Sequence, residues 1–233
     1  MPEDVPVKGL RRVELRSNDP AGSAEYYRSL FGWIVMSADD GTLRCWVGDR
    51  LAALIRRPAD WETPGWHPVL GGRPTALLTD PAGVTATLDP GRVRHGPWAP
   101  PPRHGEPCWL ELMTADTTDD YWTRRLAWTV RADSDVKPFA LFDAPDDAGA
   151  RAIAGRLLVD SVTAANVGAS WMCYLAATDI TLVTDTAVAG GATLLIEPRE
   201  APSGVIAAFA DPYGTVCTLL EDPAGWGGAW SAG

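Results

Sequence analysis

The 233-residue chain contains no glutamine, only two lysines (Lys8 and Lys137) and only three histidines. His67, His95 and His104 all fall in Pro- or Gly-rich stretches that read as loops. On that reading no strand or helix offers an imidazole to a metal, and His95 and His104 reach a site only if their segment folds over it. No apolar run approaches the roughly 20 residues of a membrane-spanning helix. The chain opens Met1-Pro2-Glu3-Asp4-Val5, without the basic and apolar segments of a secretory leader, so a cytoplasmic location is expected and no membrane partner. There is no C-x-x-C pair among the four cysteines, Cys45, Cys108, Cys173 and Cys217. Three of them sit inside expected strands, which argues for buried, reduced thiols over a disulfide framework. A basic excess is missing too: 20 Lys and Arg face 30 Asp and Glu, for a formal net charge of −10. That balance argues against a nucleic-acid partner, which wants a basic face. Nucleophile elbow, P-loop and dinucleotide fingerprint are likewise absent. The lopsided basic residues, with high Ala, Gly and Pro, are the composition of a GC-rich, actinobacterial type of genome.

What is present is a repeat. Val13-Glu14-Leu15-Arg16-Ser17-Asn18-Asp19 leads through a helix-like run to Phe31-Gly32-Trp33. Leu110-Glu111-Leu112-Met113-Thr114-Ala115-Asp116 leads to Leu126-Ala127-Trp128, and Tyr174-Leu175-Ala176-Ala177-Thr178-Asp179 leads to Gly190-Gly191. Each is an alternating strand, a polar turn whose Asp or its neighbours cap a helix, and a helix of about three turns. Ala24, Tyr27, Leu30 and Phe31 show the helical spacing in the first. Strands follow each helix, at 33–37, 43–47 and 51–55, then at 139–142 and 153–159, then at 193–196, 205–210 and 216–220. The unit is β-α-β-β-β. Two closing hairpins repeat as well: Asp80-Pro81-Ala82-Gly83 followed by Thr87-Leu88, and Asp211-Pro212-Tyr213-Gly214 followed by Thr218-Leu219. Each carries the same tight-turn signal between strands.

Residues 89–107 hold six prolines and little apolar pattern, which marks a linker. The expected organisation is an abridged N-terminal domain at 1–88, the linker at 89–107, a complete C-terminal domain of two modules at 108–222, and a Gly/Trp tail at 223–233. Residues 57–71 look too short for the first strand and helix of the missing module, so the N-terminal half is expected to keep only that module's closing pair of strands.

These features together resemble the vicinal oxygen chelate superfamily, which includes glyoxalases, extradiol dioxygenases and bleomycin-resistance proteins. Tandem-domain glyoxalase-like "hydroxylase" proteins look most similar. The resemblance implies an α+β fold in which tandem β-α-β-β-β modules form curled mixed sheets, half-barrel cups that hold a small organic ligand. Its metal-using members place a ligand on the first strand, seven residues before the helix-starting Asp, and another on the last strand, seven residues after the Asp of the turn. Those positions here are Arg12, Trp109 and Met172, and Thr87 and Thr218. None is a competent ligand for a divalent metal, so no metal and no cofactor is expected.

Alternation then assigns the cup. Arg12 and Glu14 share a face with Arg16. Trp109, Glu111 and Met113, and Met172, Tyr174 and Ala176, line the second cup with Thr218 and Leu220, and Phe142 is added to its wall. An apolar, aromatic cup around one carboxylate is the character of a small-molecule pocket. Glu111, its pKa raised by burial, is the expected acid or base with Tyr174, unless it pairs with an arginine such as Arg156. Glu14 is expected in a surface or interface ion pair. Of the 11 tryptophans, Trp33 and Trp128 read as core. Trp61, Trp66, Trp98, Trp226 and Trp230 fall in loops and tail, where they would cover a pocket or a partner. Three functions follow. The first is metal-independent sequestration of an apolar or aromatic natural product, as in self-resistance. The second is cofactor-free acid–base catalysis of isomerisation, cyclisation or dehydration. The third is assembly with itself or another protein. A monomer or a homodimer is expected.

Overall fold

The computed structural model describes residues 5–132, 138–147, 149–163 and 168–232. Alternation decides the faces of the first strand, β1 (Leu10–Arg16). Val13 and Leu15 are buried on one face while Arg12, Glu14 and Arg16 take the other. Helix α1 (Pro20–Phe31) begins where the Asp19 carboxylate accepts the Gly22 N–H, with Pro20 in its first turn, and stops at Gly32, whose φ of 64° suits a residue without a Cβ. Its Ala24, Tyr27, Leu30 and Phe31 are all buried. Three strands follow: β2 (Ile34–Ser37), β3 (Leu43–Val47) and β4 (Arg50–Arg56).

The expected gap after β4 is only partly a gap. Gly65–Gly71 forms β5, which pairs antiparallel with β1, and β6 (Ala76–Thr79) and β7 (Thr85–Asp89) complete the abridged module. That module lacks its helix and one strand, not its first strand. Residues 57–71 are too short for a strand and a helix together but long enough for the strand alone, and Pro68, which cannot donate to a ladder, hides that strand in the sequence. β5 is nonetheless central, between β1 and β7.

The C-terminal half runs β8 (Pro107–Thr114), α2 (Asp119–Leu126), β9 (Thr129–Ala132), β10 (Phe139–Ala144) and β11 (Arg151–Leu158). It then runs β12 (Ser170–Ala177), α3 (Ile180–Ala189), β13 (Thr193–Ala201), β14 (Gly204–Ala210) and β15 (Val216–Glu221). The short β9 carries no sequence signal, and its four residues are all exposed.

The described strands form one seven-stranded sheet, β2-β3-β4-β1-β5-β7-β6, and one eight-stranded sheet, β13-β14-β15-β12-β8-β11-β10-β9. Within each module the first strand pairs parallel with the last, as β1 does with β4, β5 with β7, β8 with β11 and β12 with β15. Two modules join where their first strands pair antiparallel, β1 with β5 and β8 with β12. The modules therefore pair within the chain, and the fold is α+β with curled mixed sheets.

The two Asp-Pro-x-Gly turns tie the halves together. The Asp80 carboxylate accepts the Val84 N–H at 2.8 Å within its own turn. It also accepts the Thr118 hydroxyl at 2.7 Å and the Trp122 indole N–H at 3.1 Å, both from the α2 region of the other half. Asp211 repeats the arrangement, holding Thr215 N–H at 2.8 Å and accepting the Tyr27 hydroxyl of α1 at 3.0 Å. Each turn thus caps itself and binds a helix of the opposite half. The four cysteines are buried and free. No described helix is long and apolar enough to cross a membrane.

Candidate functional site

The cup faces of the two sheets differ in chemistry. In the eight-stranded sheet, β8 and β12 run antiparallel with Glu111 opposite Met172 and Trp109 opposite Tyr174. All four share a face with Met113. Thr218 lies beside Tyr174 and Leu220 beside Ala176 on β15, so these residues come together. The Thr218 hydroxyl is used internally, donating to the Cys173 carbonyl at 3.0 Å.

Glu111 lies at the floor of this cup and is 6% exposed. The Tyr174 hydroxyl donates to its Oε1 at 3.4 Å. No cation comes within salt-bridge distance among the described residues, and Arg156, the expected partner, instead grips Asp119 at 3.1 Å. The alternation explains this: Arg156 stands beside Leu112, on the reverse face from Glu111. Burial pushes the Glu111 carboxyl up to about 7, against the opposing pull of Tyr174 and Trp109. Trp109 lies near the same carboxyl, but its indole N–H makes no hydrogen bond. Gly155, beside Glu111 on β11, leaves the room: a Cβ there would stand 2.7 Å from the Phe139 ring and 3.3 Å from Glu111 Cγ. The Tyr174 hydroxyl is itself pushed well above its ordinary value by burial and the nearby carboxyl.

Phe142 is not in the cup. It sits opposite Ala154, on the reverse face, packed 5.8 Å from Trp128 and 6.3 Å from Trp171. Phe139, three residues earlier, faces the cup instead.

The tail also reaches the cup. Gly227 donates its N–H to the Cys108 carbonyl at 2.8 Å and lies so close over Trp109 that a Cβ would stand 2.5 Å from the ring. Trp226 packs edge-on to Trp109 at 6.2 Å and donates its indole N–H to the Ile153 carbonyl at 2.8 Å. Trp230, in a single 3-10 turn (Gly228–Ala232), stacks on Phe139 at 5.5 Å with the rings 12° apart. The tail is a strap across the cup. Around it Met113, Met172 and Leu157 remain half-buried. Sequence reasoning marked Trp226 and Trp230 as covering residues without a destination, and missed Phe139, Gly155 and Gly227.

The seven-stranded sheet gathers Arg12 and Glu14, but far from Glu111 and in a closed ion network. Arg12 holds Glu14 at 2.7 Å and Asp89 at 2.9 Å, and Arg56 holds Glu14 at 3.2 Å and Glu62 at 2.5 Å. Arg16 reaches Glu62 at 3.2 Å. Glu14 does form the ion pairs expected of it, but it is itself buried at 8% exposure, with the Arg12 and Arg56 side chains more open at 12% and 25%, so the surface alternative does not hold. Hydrogen bonds from Arg56 draw Glu62 down to about 2, and burial lowers Arg16 from its ordinary value.

His67 lies on β5, not in a loop. It stands opposite Glu14 as Met172 stands opposite Glu111, which makes it the abridged module's counterpart of Met172, one of the positions where the resemblance implies a metal ligand. Its Nε2 is 2.9 Å from Thr87 Oγ1. Burial, with Arg16, Arg56 and Arg12 close by, pushes it down to about 3, a neutral imidazole ringed by guanidiniums. The other positions hold Arg12, Trp109, Met172, Thr87 and Thr218. Among the described residues no three His, Cys, Asp or Glu side chains gather to hold a metal ion. One imidazole beside three arginines does not fit a divalent metal centre. His95 and His104 serve elsewhere: His95 Nε2 lies 3.1 Å from the Leu51 carbonyl, and His104 accepts the Thr178 N–H at 3.2 Å.

This is the arrangement of paired modules that the resemblance to the vicinal oxygen chelate superfamily implies. No family model and no curated protein matches the chain in sequence. Solved structures do match in shape. The 2,3-dioxygenase LapB from Pseudomonas sp. KL28 aligns with a TM-score of 0.56 at 12% identity, over 92% of this chain and 93% of that one. The Mn(II)-bound glyoxalase from Novosphingobium aromaticivorans gives 0.58 at 13% identity, over 92% and 82%. A variant of 4-hydroxymandelate synthase from Streptomyces coelicolor gives 0.57 at 10% identity, over 98% of both chains.

Proposed function

We propose that the chain binds a small, largely apolar or aromatic organic molecule in the cup of the eight-stranded sheet, without a protein-held metal, and that its role is sequestration of a natural product. In this reading residues 108–222 with the tail 223–233 form the binding half, and the abridged half at 1–88 is its buttress. The observation that carries the reading is Glu111: a buried carboxyl with no counter-ion among the described residues, set among Trp109, Tyr174, Met113 and Met172, and covered by the chain's own indoles. Aromatic side chains already fill this space, so an aromatic guest that displaces them finds the same apolar contacts, and its hydroxyl or amine finds the carboxyl.

Glu111 and Tyr174 at 3.4 Å also support a second reading, proton transfer to and from a bound guest without a cofactor. The two separate in one experiment. The neutral probe 2-naphthol, followed by calorimetry and tryptophan emission, is expected to bind one per chain. Removal of residues 225–233 should tighten it by roughly tenfold, because the strap no longer competes with the probe for the cup. Met172→Arg should abolish binding. A probe that binds with equal strength to the parent and to Met172→Arg would sink the assignment of this cup. Recovery of candidate polyaromatic metabolites unchanged supports sequestration. Their conversion, lost in Glu111→Gln with binding kept, supports catalysis.

A further inference from the structure

A cleft of about 610 Å³ opens outside both cups, where the proline-rich segment after β7 crosses toward the second sheet. Its charge is opposite to that of the molecule. Lys8, Arg50, Arg92, Arg94 and Arg103 line it against Asp49 and Asp146, five positive charges to two negative, whereas the whole chain carries −10.

The arginines are held in place from behind. Glu106 is completely buried and takes Arg50 at 2.8 Å and Arg103 at 2.9 Å, which sets two guanidiniums into the wall. Arg50 is braced further by the Pro100 and Pro101 carbonyls, at 3.1 Å and 3.0 Å. Arg103 passes so close to Gly48, in the β3–β4 turn, that a Cβ there would stand 2.7 Å from its Nη1. Both lining carboxylates are neutralised, Asp49 by Arg103 at 2.9 Å and Asp146 by Lys8 at 2.5 Å. Arg92 and Arg94 have no carboxylate partner among the described residues, and Arg94 lies 5.7 Å over the Trp46 ring. Trp98 forms the apolar wall. Its indole N–H is buried without an acceptor, and Lys8 and Arg151 lie 5.7 and 5.8 Å from its ring.

We propose that this cleft is a second binding site, for a compact organic oxyanion, a phosphate ester or a polycarboxylate, whose planar part rests on Trp98. Arg92 and Arg94 supply the uncommitted charge and the bidentate donors that such groups take. Arg50 and Arg103 give a preset wall. The volume is that of a small-molecule site. The acidic remainder of the surface repels any polyanion longer than the cleft, which favours a small anion over a nucleic acid.

The test uses the full chain in low salt. Sodium pyrophosphate and trisodium citrate are titrated separately by calorimetry, with the tryptophan indole resonances followed by NMR. Saturable one-to-one binding of either probe, with a shift of the Trp98 N–H, is the expected result, and the stronger probe names the ligand class. The variant Arg92→Glu/Arg94→Glu should lose at least about tenfold in affinity, while 2-naphthol binding in the cup stays unchanged. Arg92 is exposed, and an unchanged melting curve confirms that the variant folds. Trp98→Phe should weaken the probe and remove the shifted resonance. Failure of both probes to saturate, or full binding in the doubly reversed variant, overturns the proposal. Tighter binding of a 20-nucleotide single strand than of either small anion overturns it as well.

Discussion

Glu111 is a buried carboxyl group without a counter-ion among the described residues, and its energetics have a definite sign. Burial raises its folded value from 4.5 to about 7. Between those limits the folded chain keeps a proton that the unfolded chain has released, so stability falls as pH rises through this window and is level above it. At about 1.4 kcal/mol per pH unit the full effect is roughly 3 kcal/mol. Glu111→Gln is therefore expected to match the parent in urea unfolding at pH 4 and to exceed it by about 1–3 kcal/mol at pH 8. A variant less stable than the parent at pH 8 would show that Glu111 has a cation for a partner after all. The same residue illustrates what alternation can and cannot say. The face of Glu111 was legible from Leu110-Glu111-Leu112, and so was the face of Arg156. Their separation follows only from the register between β8 and β11, which pairs Glu111 with Gly155 and leaves Arg156 one residue out of phase.

At the scale of elements, the strap depends on a glycine. Gly227 has a φ of 76° and no room for a Cβ over Trp109. Gly227→Ala is expected to lift the strap, lower the melting temperature by about 2–6 °C, and shift tryptophan emission to the red as Trp226 and Trp230 leave the cup. An unchanged emission spectrum would show that the strap tolerates the methyl group and is not held by that contact. Apart from β9, the strands and helices of the three complete modules were readable because period-two alternation leads into a polar turn and a helix, which Asp19 and Asp179 cap in the first and third while α2 starts behind Thr118 without a side-chain cap. β5 was not, because Gly65-Trp66-His67-Pro68 breaks the alternation and carries a proline. With β5 went the placement of His67, the abridged module's counterpart of Met172. Of the strap only the role was legible, in tail indoles suited to covering a pocket or a partner: Gly225-Trp226-Gly227-Gly228 has no period, and nothing local says on which residues a glycine-rich segment docks.

At the scale of the molecule, the halves are joined by Asp80 and Asp211, each bound to a helix of the other half. Asp80→Ala leaves the buried Thr118 hydroxyl and Trp122 N–H without an acceptor, so a loss of about 2–4 kcal/mol is expected in urea unfolding. The loss should appear as a shift of a single transition seen alike by far-ultraviolet dichroism and by tryptophan emission. Two separated transitions would mean that the halves unfold independently. The repeated Asp-Pro-x-Gly motif was visible in the sequence as a turn, but its reach across to the partner half was not.

The strap has a consequence for any affinity measured on this chain. Tethered at the end of β15, two indoles sit within reach of the cup at an effective concentration of millimolar order, whatever the protein's own concentration. A guest competes with a rival that dilution never removes. Its apparent dissociation constant equals the intrinsic one divided by the fraction of molecules whose cup stands open. Modest apparent affinity would then measure the strap's grip and not the quality of the fit.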